Sequence, residues 1–128
     1  MIFVDTNVIM YAVGRGHVLK EESRSFFRDQ VGRRSRLVTS AEVLQELVHA
    51  YLPVGRLQTL DSALALVDAC FADVWAVEAG DVRFARLLVE THPGLGARDL
   101  LHLACCRRRE VSSVRTFDRA LAAAFSGN

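Results

Sequence analysis

Four acidic side chains that are far apart in the sequence share one kind of position. Each follows a strand-like run or lies in a helix-like stretch near its start, and they are Asp5, Glu46, Asp99 and Asp118. In a parallel sheet, the carboxyl ends of the strands and the amino ends of the following helices lie at one edge, so we expect these carboxylates to meet. Two carboxylates about 4 Å apart repel by roughly 4 kcal/mol at an effective dielectric constant near 20. Such a cluster therefore requires a cation or protons.

The chemistry of the expected cluster follows from its oxygen ligands. Carboxylates suit Mg²⁺ or Mn²⁺, which keep several waters and often complete their coordination with a substrate phosphate. No histidine or cysteine accompanies the four acids as a set in the sequence, so Zn²⁺ is less favoured. A divalent ion held in this way activates water and neutralises charge on a leaving oxygen. The pattern is typical of phosphodiester hydrolysis.

Three of the four acids also have a purely structural explanation. Asp5 and Asp118 are equally suited to capping a helix N-terminus, and the helix macrodipole alone would account for Asp99. Glu46 differs, because it lies beyond the first turn of its helix and borders the apolar stripe. Glu42, one turn earlier, falls opposite that stripe. We therefore expect Glu46 to point inward and Glu42 to be solvated.

The elements that must position these acids alternate along the chain. Short β-branched or aromatic runs predict strands at Ile2 to Val4, Leu37 to Thr39, Val74 to Val77 and Val114 to Phe117. Apolar periodicity predicts helices at Thr6 to Val13, Lys20 to Val31, Ala41 to Leu52, Leu57 to Phe71, Ala79 to Thr91, Arg98 to Arg108 and Asp118 to Phe125. Alternation of this kind favours an α/β fold. We expect three α/β/α layers around a short, mainly parallel sheet of four to five strands.

Bulk properties narrow the class further. The 128 residues are enough for one domain, expected over 1–128. The net charge of +1 is not the basic signature of a nucleic-acid-binding domain. Although 51% of the residues are hydrophobic, no run approaches the roughly 20 apolar residues of a membrane span. Because the N-terminus also lacks an export signal, we expect a soluble cytoplasmic protein.

Four segments of the chain resemble those of the PIN domain, and within it the VapC-type ribonuclease toxins. They are "FVDTNVIMYA", "VTSAEVLQELVHA", "ARDLLHLACC" and "VRTFDRAL". Each motif is weak alone, but the four occur in order across nearly the whole chain, with α/β elements between them. The resemblance therefore implies a PIN-like fold.

The resemblance also implies roles for individual residues. The acidic metal pocket would consist of Asp5, Glu46, Asp99 and Asp118. Asp5 and Asp99 match direct metal ligands of the family, and Glu46 and Asp118 would complete the site directly or through water. Three polar residues match positions that orient the acids or the waters, although local turn and cap roles remain open for them: Asn7, Ser40 and Thr116.

The function implied by the resemblance is that of a Mg²⁺- or Mn²⁺-dependent endoribonuclease, acting as the toxin of a toxin–antitoxin pair. It implies an RNA substrate, a cognate VapB-type antitoxin whose tail covers the acidic pocket, and a homodimer. The alternative function is a PIN-like, non-catalytic module that binds a partner or RNA.

Three further features are interpreted as structural. His102, one turn after Asp99, is taken as an ordinary buried histidine, because metal-activated water makes a histidine base unnecessary. Thr6 is taken as part of the local turn. The run Arg107-Arg108-Arg109 is taken as the solvated end of its helix in preference to a contact with the RNA backbone.

Overall fold

A computed structural model describes residues 1–127 of the chain. Within them, the strands are β1 (Ile2–Val4), β2 (Leu37–Ser40), β3 (Phe71–Trp75) and β4 (Ser113–Arg115). The helices are α1 (Thr6–Val13), α2 (Val18–Gly32), α3 (Ala41–Tyr51), α4 (Leu57–Cys70), α5 (Ala79–Leu87), α6 (Ala97–Arg108) and α7 (Arg119–Ser126).

The strands form one sheet in the order β3-β2-β1-β4. All three pairings are parallel, and Phe3 of the central strand β1 lies opposite Val38 on one side and Val114 on the other. One apolar cluster joins the sheet to α1, α2, α3 and α4, and a second cluster joins α5, α6 and α7. The expected α/β fold with a parallel sheet is confirmed, with four strands. Because every strand runs the same way, all four carboxyl ends lie at one edge.

The first strand shows why this chain builds its site at that edge. Phe3 and Val4 are fully buried, as expected for a central parallel strand that is covered on both faces. The apolar run stops at Asp5, whose extended backbone and side chain cap α1. Strand β1 thus places a carboxylate at the edge of the sheet where the neighbouring strands also end.

Many element boundaries differ from the sequence prediction by one or two residues, and two differ by three or more. Strand β3 begins at Phe71, where a helix was expected to continue, because Phe71 pairs with Leu37 of β2. Helix α5 ends at Leu87 and not at Thr91. Its last turn tightens there, since the backbone N–H of Leu88 is shared among the carbonyl oxygens of Phe84, Ala85 and Arg86. The periodicity of apolar residues predicts neither which strands pair nor where a helix ends.

Helix α6 is held against α5 by a buried carboxylate. Asp81, in the first turn of α5, accepts hydrogen bonds from Arg108 Nη1 at 2.6 Å and from Arg109 Nη1 at 2.8 Å. The Arg109 guanidinium also lies 5.0 Å from the centre of the Trp75 ring. The interpretation of this basic run as merely solvated is therefore wrong for Arg108 and Arg109, which form ion pairs.

No helix within residues 1–127 has both the length and the apolar character that crossing a membrane requires.

Candidate active site

Asp5 lies at the carboxyl end of β1, between the ends of β2 and β4, and is only 5% exposed. Its Oδ1 accepts a hydrogen bond from the backbone N–H of Thr6 at 2.7 Å, and its Oδ2 accepts one from Thr116 Oγ1 at 2.7 Å. The first of these bonds is the helix cap. Asp5 therefore both caps helix α1 and belongs to the acidic cluster.

Glu46 reaches the same position from α3. Its Oε2 accepts a hydrogen bond from Thr6 Oγ1 at 3.0 Å, and its Oε1 lies 2.6 Å from His102 Nε2. Nε2 of His102 is also 3.8 Å from Asp5 Oδ1. One possible metal-ligating atom from each of Asp5, Glu46 and His102 lies within 4.8 Å of the others. The prediction that Glu46 points inward is supported by these contacts.

Asp99 lies in the first turn of α6 and is half-buried. Burial, together with the negative charges of Asp118 and Asp5, raises the pKa of Asp99 to about 6. Glu46 adds to this effect. The negative charges that act on Asp99 are thus those of the other three acids predicted from the sequence. Among residues 1–127, however, only Asp5, Glu46 and His102 form the compact group of ligand atoms.

Asp118 caps α7, because its Oδ1 accepts a hydrogen bond from the backbone N–H of Leu121 at 3.0 Å. Its own backbone N–H donates to Thr116 Oγ1 at 3.0 Å. Thr116 therefore links the start of α7 to Asp5. Asn7 strengthens the link, since its Oδ1 accepts a hydrogen bond from the backbone N–H of Phe117 at 3.2 Å.

Ser40 is the predicted polar residue for which the structure gives no such contact. It is fully buried at the N-cap of α3, yet its side chain does not cap the helix, and its Oγ has no hydrogen-bond partner within the described residues. Its role in orienting the acids stays a prediction.

Sequence reasoning missed two members of the site. Thr6 was assigned to the local turn, but its hydroxyl holds Glu46. His102 was taken as an ordinary buried histidine, but its ring contacts Glu46 and lies close to Asp5. One signal was present, because Asp99 and His102 are three residues apart on α6, and residues with this spacing lie on one helix face.

The charges of the site are mutually dependent. Burial raises the pKa of Asp5, against the lowering effect of the Thr116 hydrogen bond. Burial also works to raise the pKa of Glu46, but the contact with His102 and its charge outweigh burial and lower it. Conversely, burial opposes protonation of His102, but Glu46 reverses that effect and raises the pKa of the imidazole. The acids therefore favour a positive charge among them.

The donor set fits a divalent cation. Carboxylate oxygens are the ligands that Mg²⁺ and Mn²⁺ prefer, and imidazole nitrogen is acceptable to Mn²⁺. Glu46 Oε1 and His102 Nε2 are buried and lack an aligned hydrogen-bond partner within residues 1–127, although they face each other. Buried polar atoms are usually satisfied, so the pair is suited to sharing a cation.

Replacing Asp99 with asparagine is expected to stabilise the metal-free protein. At pH 8 in excess chelator, the variant should gain about 1–2 kcal/mol in the free energy of unfolding, after allowance for solvent screening, because a carboxylate with a raised pKa is ionised there at a cost. Urea unfolding measures the change. Asp68→Asn, which removes an exposed acid of α4, is the control and should leave stability unchanged. A less stable Asp99→Asn protein would contradict the expected repulsion.

Residues 2–125 of the chain match the family model described as "PIN domain". The chain therefore belongs to the PIN domain family, as the four sequence motifs indicated.

Within the family the chain is of the VapC type. It is 62% identical over 125 residues to "Ribonuclease VapC23" of Mycobacterium tuberculosis (strain H37Rv), and the alignment covers 98% of each chain. Its structure is similar to that of M. tuberculosis VapC20, described as a sarcin–ricin-loop-cleaving toxin, with a TM-score of 0.80, 21% identity and coverage of 97% and 95%. It is also similar to a chain of VapBC2 from Rickettsia felis bound to promoter DNA, with a TM-score of 0.66, 18% identity and coverage of 92% and 88%.

Proposed function

We propose that this protein is a metal-dependent endoribonuclease that hydrolyses phosphodiester bonds of RNA and acts as the toxin of a toxin–antitoxin pair. The observation that carries the proposal is the group of Asp5, Glu46 and His102 ligand atoms, all within 4.8 Å of one another at the carboxyl edge of the sheet. The ribonuclease name of the 62% identical relative supports the choice of RNA as substrate.

In this proposal, Asp5 and Asp99 hold Mg²⁺ or Mn²⁺ directly, and Glu46 and Asp118 complete the site. When bound, the ion supplies Lewis acidity toward the phosphate and lowers the pKa of water. Hydrolysis leaves a 3′-hydroxyl and a 5′-phosphate.

The chain's own contribution is to hold the acids in place before substrate arrives. Thr116 and the backbone N–H of Thr6 fix both oxygens of Asp5, and the Thr6 hydroxyl fixes Glu46. Charged groups that are already oriented need little reorganisation during the reaction, which is the main source of electrostatic catalysis. Asn7 and Thr116 act as positioning residues for Asp5, and we propose the same for Ser40.

The proposed partner, location and assembly of the protein follow from its VapC type. The partner is a VapB-type antitoxin, for which the similar VapBC2 complex offers a precedent. The protein works in the cytoplasm, as a single domain over 1–128 and as a homodimer.

Metal removal tests the proposed activity. Purified protein incubated with total RNA and Mg²⁺ or Mn²⁺ is expected to produce discrete fragments, whose ends sequencing would define. Excess chelator should abolish cleavage, and added metal should restore it. Equal cleavage with and without chelator would overturn the proposal.

A pair of glutamates on α3 provides a matched test of position. Glu46→Gln should lower the cleavage rate by roughly 10- to 100-fold, as expected for a residue that holds or orients a metal. Glu42→Gln removes the same charge from another half-buried glutamate, one turn earlier in the helix. None of the hydrogen bonds or ion pairs that Asp5, Glu46 and His102 form within residues 1–127 involves Glu42, so the rate should change by less than about twofold. Fragment formation at limiting enzyme measures both rates. Equal losses in the two variants would mean that net charge matters and position does not.

A further inference from the structure

We propose that His102 is a direct ligand of the metal, which gives this site one nitrogen donor among its carboxylate oxygens. The inference rests on the metal dependence in the proposed function. It adds a residue that the acidic motif does not contain.

The first argument is distance. Two atoms bound to one ion at about 2.1 Å each lie roughly 3.0 to 3.6 Å apart when the angle between the bonds is 90 to 120°. His102 Nε2 is 3.8 Å from Asp5 Oδ1, just above that range. It is 2.6 Å from Glu46 Oε1, so a small outward movement of the Glu46 carboxylate admits the ion.

The second argument is hydrogen bonding. The imidazole is fully buried, and neither ring nitrogen has an aligned hydrogen-bond partner among residues 1–127. Glu46 Oε1 is likewise buried without an aligned hydrogen-bond partner among these residues. An ordinary core histidine would be satisfied by hydrogen bonds, and a directed histidine–glutamate pair would be aligned. His102 Nε2 and Glu46 Oε1 thus lie 2.6 Å apart without an aligned hydrogen bond, an arrangement that a shared cation would complete.

The third argument is the placement of the ring. Phe3 of the central strand packs against the imidazole, with 5.4 Å between the ring centres. Helix α6 carries both Asp99 and His102, one turn apart. One face of this helix therefore carries a potential oxygen donor and a potential nitrogen donor.

A histidine ligand would affect which metal ion the site prefers. Imidazole nitrogen binds Mn²⁺ more readily than Mg²⁺, which prefers oxygen ligands. A site with His102 as a ligand should therefore prefer Mn²⁺ to Mg²⁺ more strongly than an all-carboxylate site would.

Pulsed electron paramagnetic resonance of bound Mn²⁺ tests the ligand directly, without RNA. The full-length protein with one equivalent of Mn²⁺ is expected to show modulation from a directly bonded ¹⁴N nucleus. Labelling its histidines with ¹⁵N should change that signal to the ¹⁵N pattern, with no substitution in the chain. Mn²⁺ that binds without nitrogen coupling would overturn the proposal, and so would failure of the protein to bind Mn²⁺.

Substitution assigns the nitrogen to one histidine. His102→Gln should remove the coupling and weaken Mn²⁺ binding by roughly 10- to 100-fold in a calorimetric titration, with a change in Mg²⁺ binding below about threefold. His49→Gln, on the exposed part of α3, is the control and should keep both. Coupling that persists in His102→Gln would contradict the assignment. Nitrogen coupling in a protein that cuts no RNA would refute the ribonuclease function and leave the ligand assignment standing.

Discussion

Replacing Asp5 with asparagine is expected to lower kcat/KM for RNA cleavage by about 100-fold or more, because the substitution removes a negative charge that the proposed metal site requires. The structure makes Asp5 the most constrained acid of the site, since both of its oxygens accept hydrogen bonds and it is 5% exposed. Asparagine has the same shape and can still accept the hydrogen bond from the Thr6 N–H. The fold should therefore survive while activity is lost.

The measurement is cleavage of RNA over time at saturating Mg²⁺ or Mn²⁺, accompanied by urea unfolding to confirm the fold. Asp61→Asn, which neutralises an exposed acid of α4, is the matched control and should retain activity. A fully active Asp5→Asn enzyme would remove Asp5 from the proposed metal site.

The same Asp5→Asn variant, when expressed in cells, distinguishes an enzyme from a non-catalytic binding module. If the protein acts by cutting RNA, Asp5→Asn should abolish growth arrest and leave antitoxin binding intact. Growth arrest that persists in a correctly folded Asp5→Asn variant would favour the non-catalytic alternative.

The largest effect on stability is expected for Asp81→Asn. The Asp81 side chain is fully buried and accepts hydrogen bonds from Arg108, from Arg109 and from the backbone N–H of Glu78. Neutralising it leaves two guanidinium groups, 37% and 21% exposed, without their buried partner. We expect a loss of about 2–4 kcal/mol in the free energy of unfolding, less than for fully buried pairs because both arginines reach solvent.

The same carboxylate makes stability depend on pH. Burial alone would raise the pKa of Asp81, but the hydrogen bonds from Arg109, Glu78 and Arg108 hold it well below its usual value. A group with a depressed folded-state pKa contributes stability that is present above the unfolded value near 3.9 and is lost as pH falls below it. Urea unfolding at pH 7 and pH 3 should therefore show a smaller acid loss in Asp81→Asn than in the wild-type protein. Asp61→Asn should behave like wild type, and an equal acid loss in all three proteins would contradict the role of Asp81.

Local patterns in the sequence were sufficient to predict the alternation of strands and helices and to propose the acids. Strand β1 and helix α1 have the predicted bounds, because a short apolar run that ends in a capping residue is a complete local signal. The parallel sheet followed from strand–helix alternation, and a parallel sheet places strand ends together. Glu46 was distinguished from Glu42 by its place beyond the first turn and at the border of the apolar stripe, but the structure leaves Glu42 half-buried and not fully solvated as expected.

Contacts between residues that are far apart in the chain could not be predicted from local sequence patterns. Nothing in the sequence near Arg108 and Arg109 shows that their partner is Asp81, 27 and 28 residues earlier. Strand β3 begins at Phe71 because a neighbouring strand pairs with it, and an apolar run suits a helix or a strand equally well. Thr6 lies next to Asp5 in the chain, but its hydroxyl partner, Glu46, is 40 residues away.

The α/β architecture and the four proposed acids could be inferred from the sequence, since periodicity, capping residues and charge are properties of short segments. The folded structure was needed to show that His102 and Thr6 contact the acids and that Arg108 and Arg109 at the end of α6 are ion-paired. The physical reason is that a buried polar group acquires its role from whatever the fold places within hydrogen-bonding or coordination distance, and segments far apart in the chain supply those neighbours.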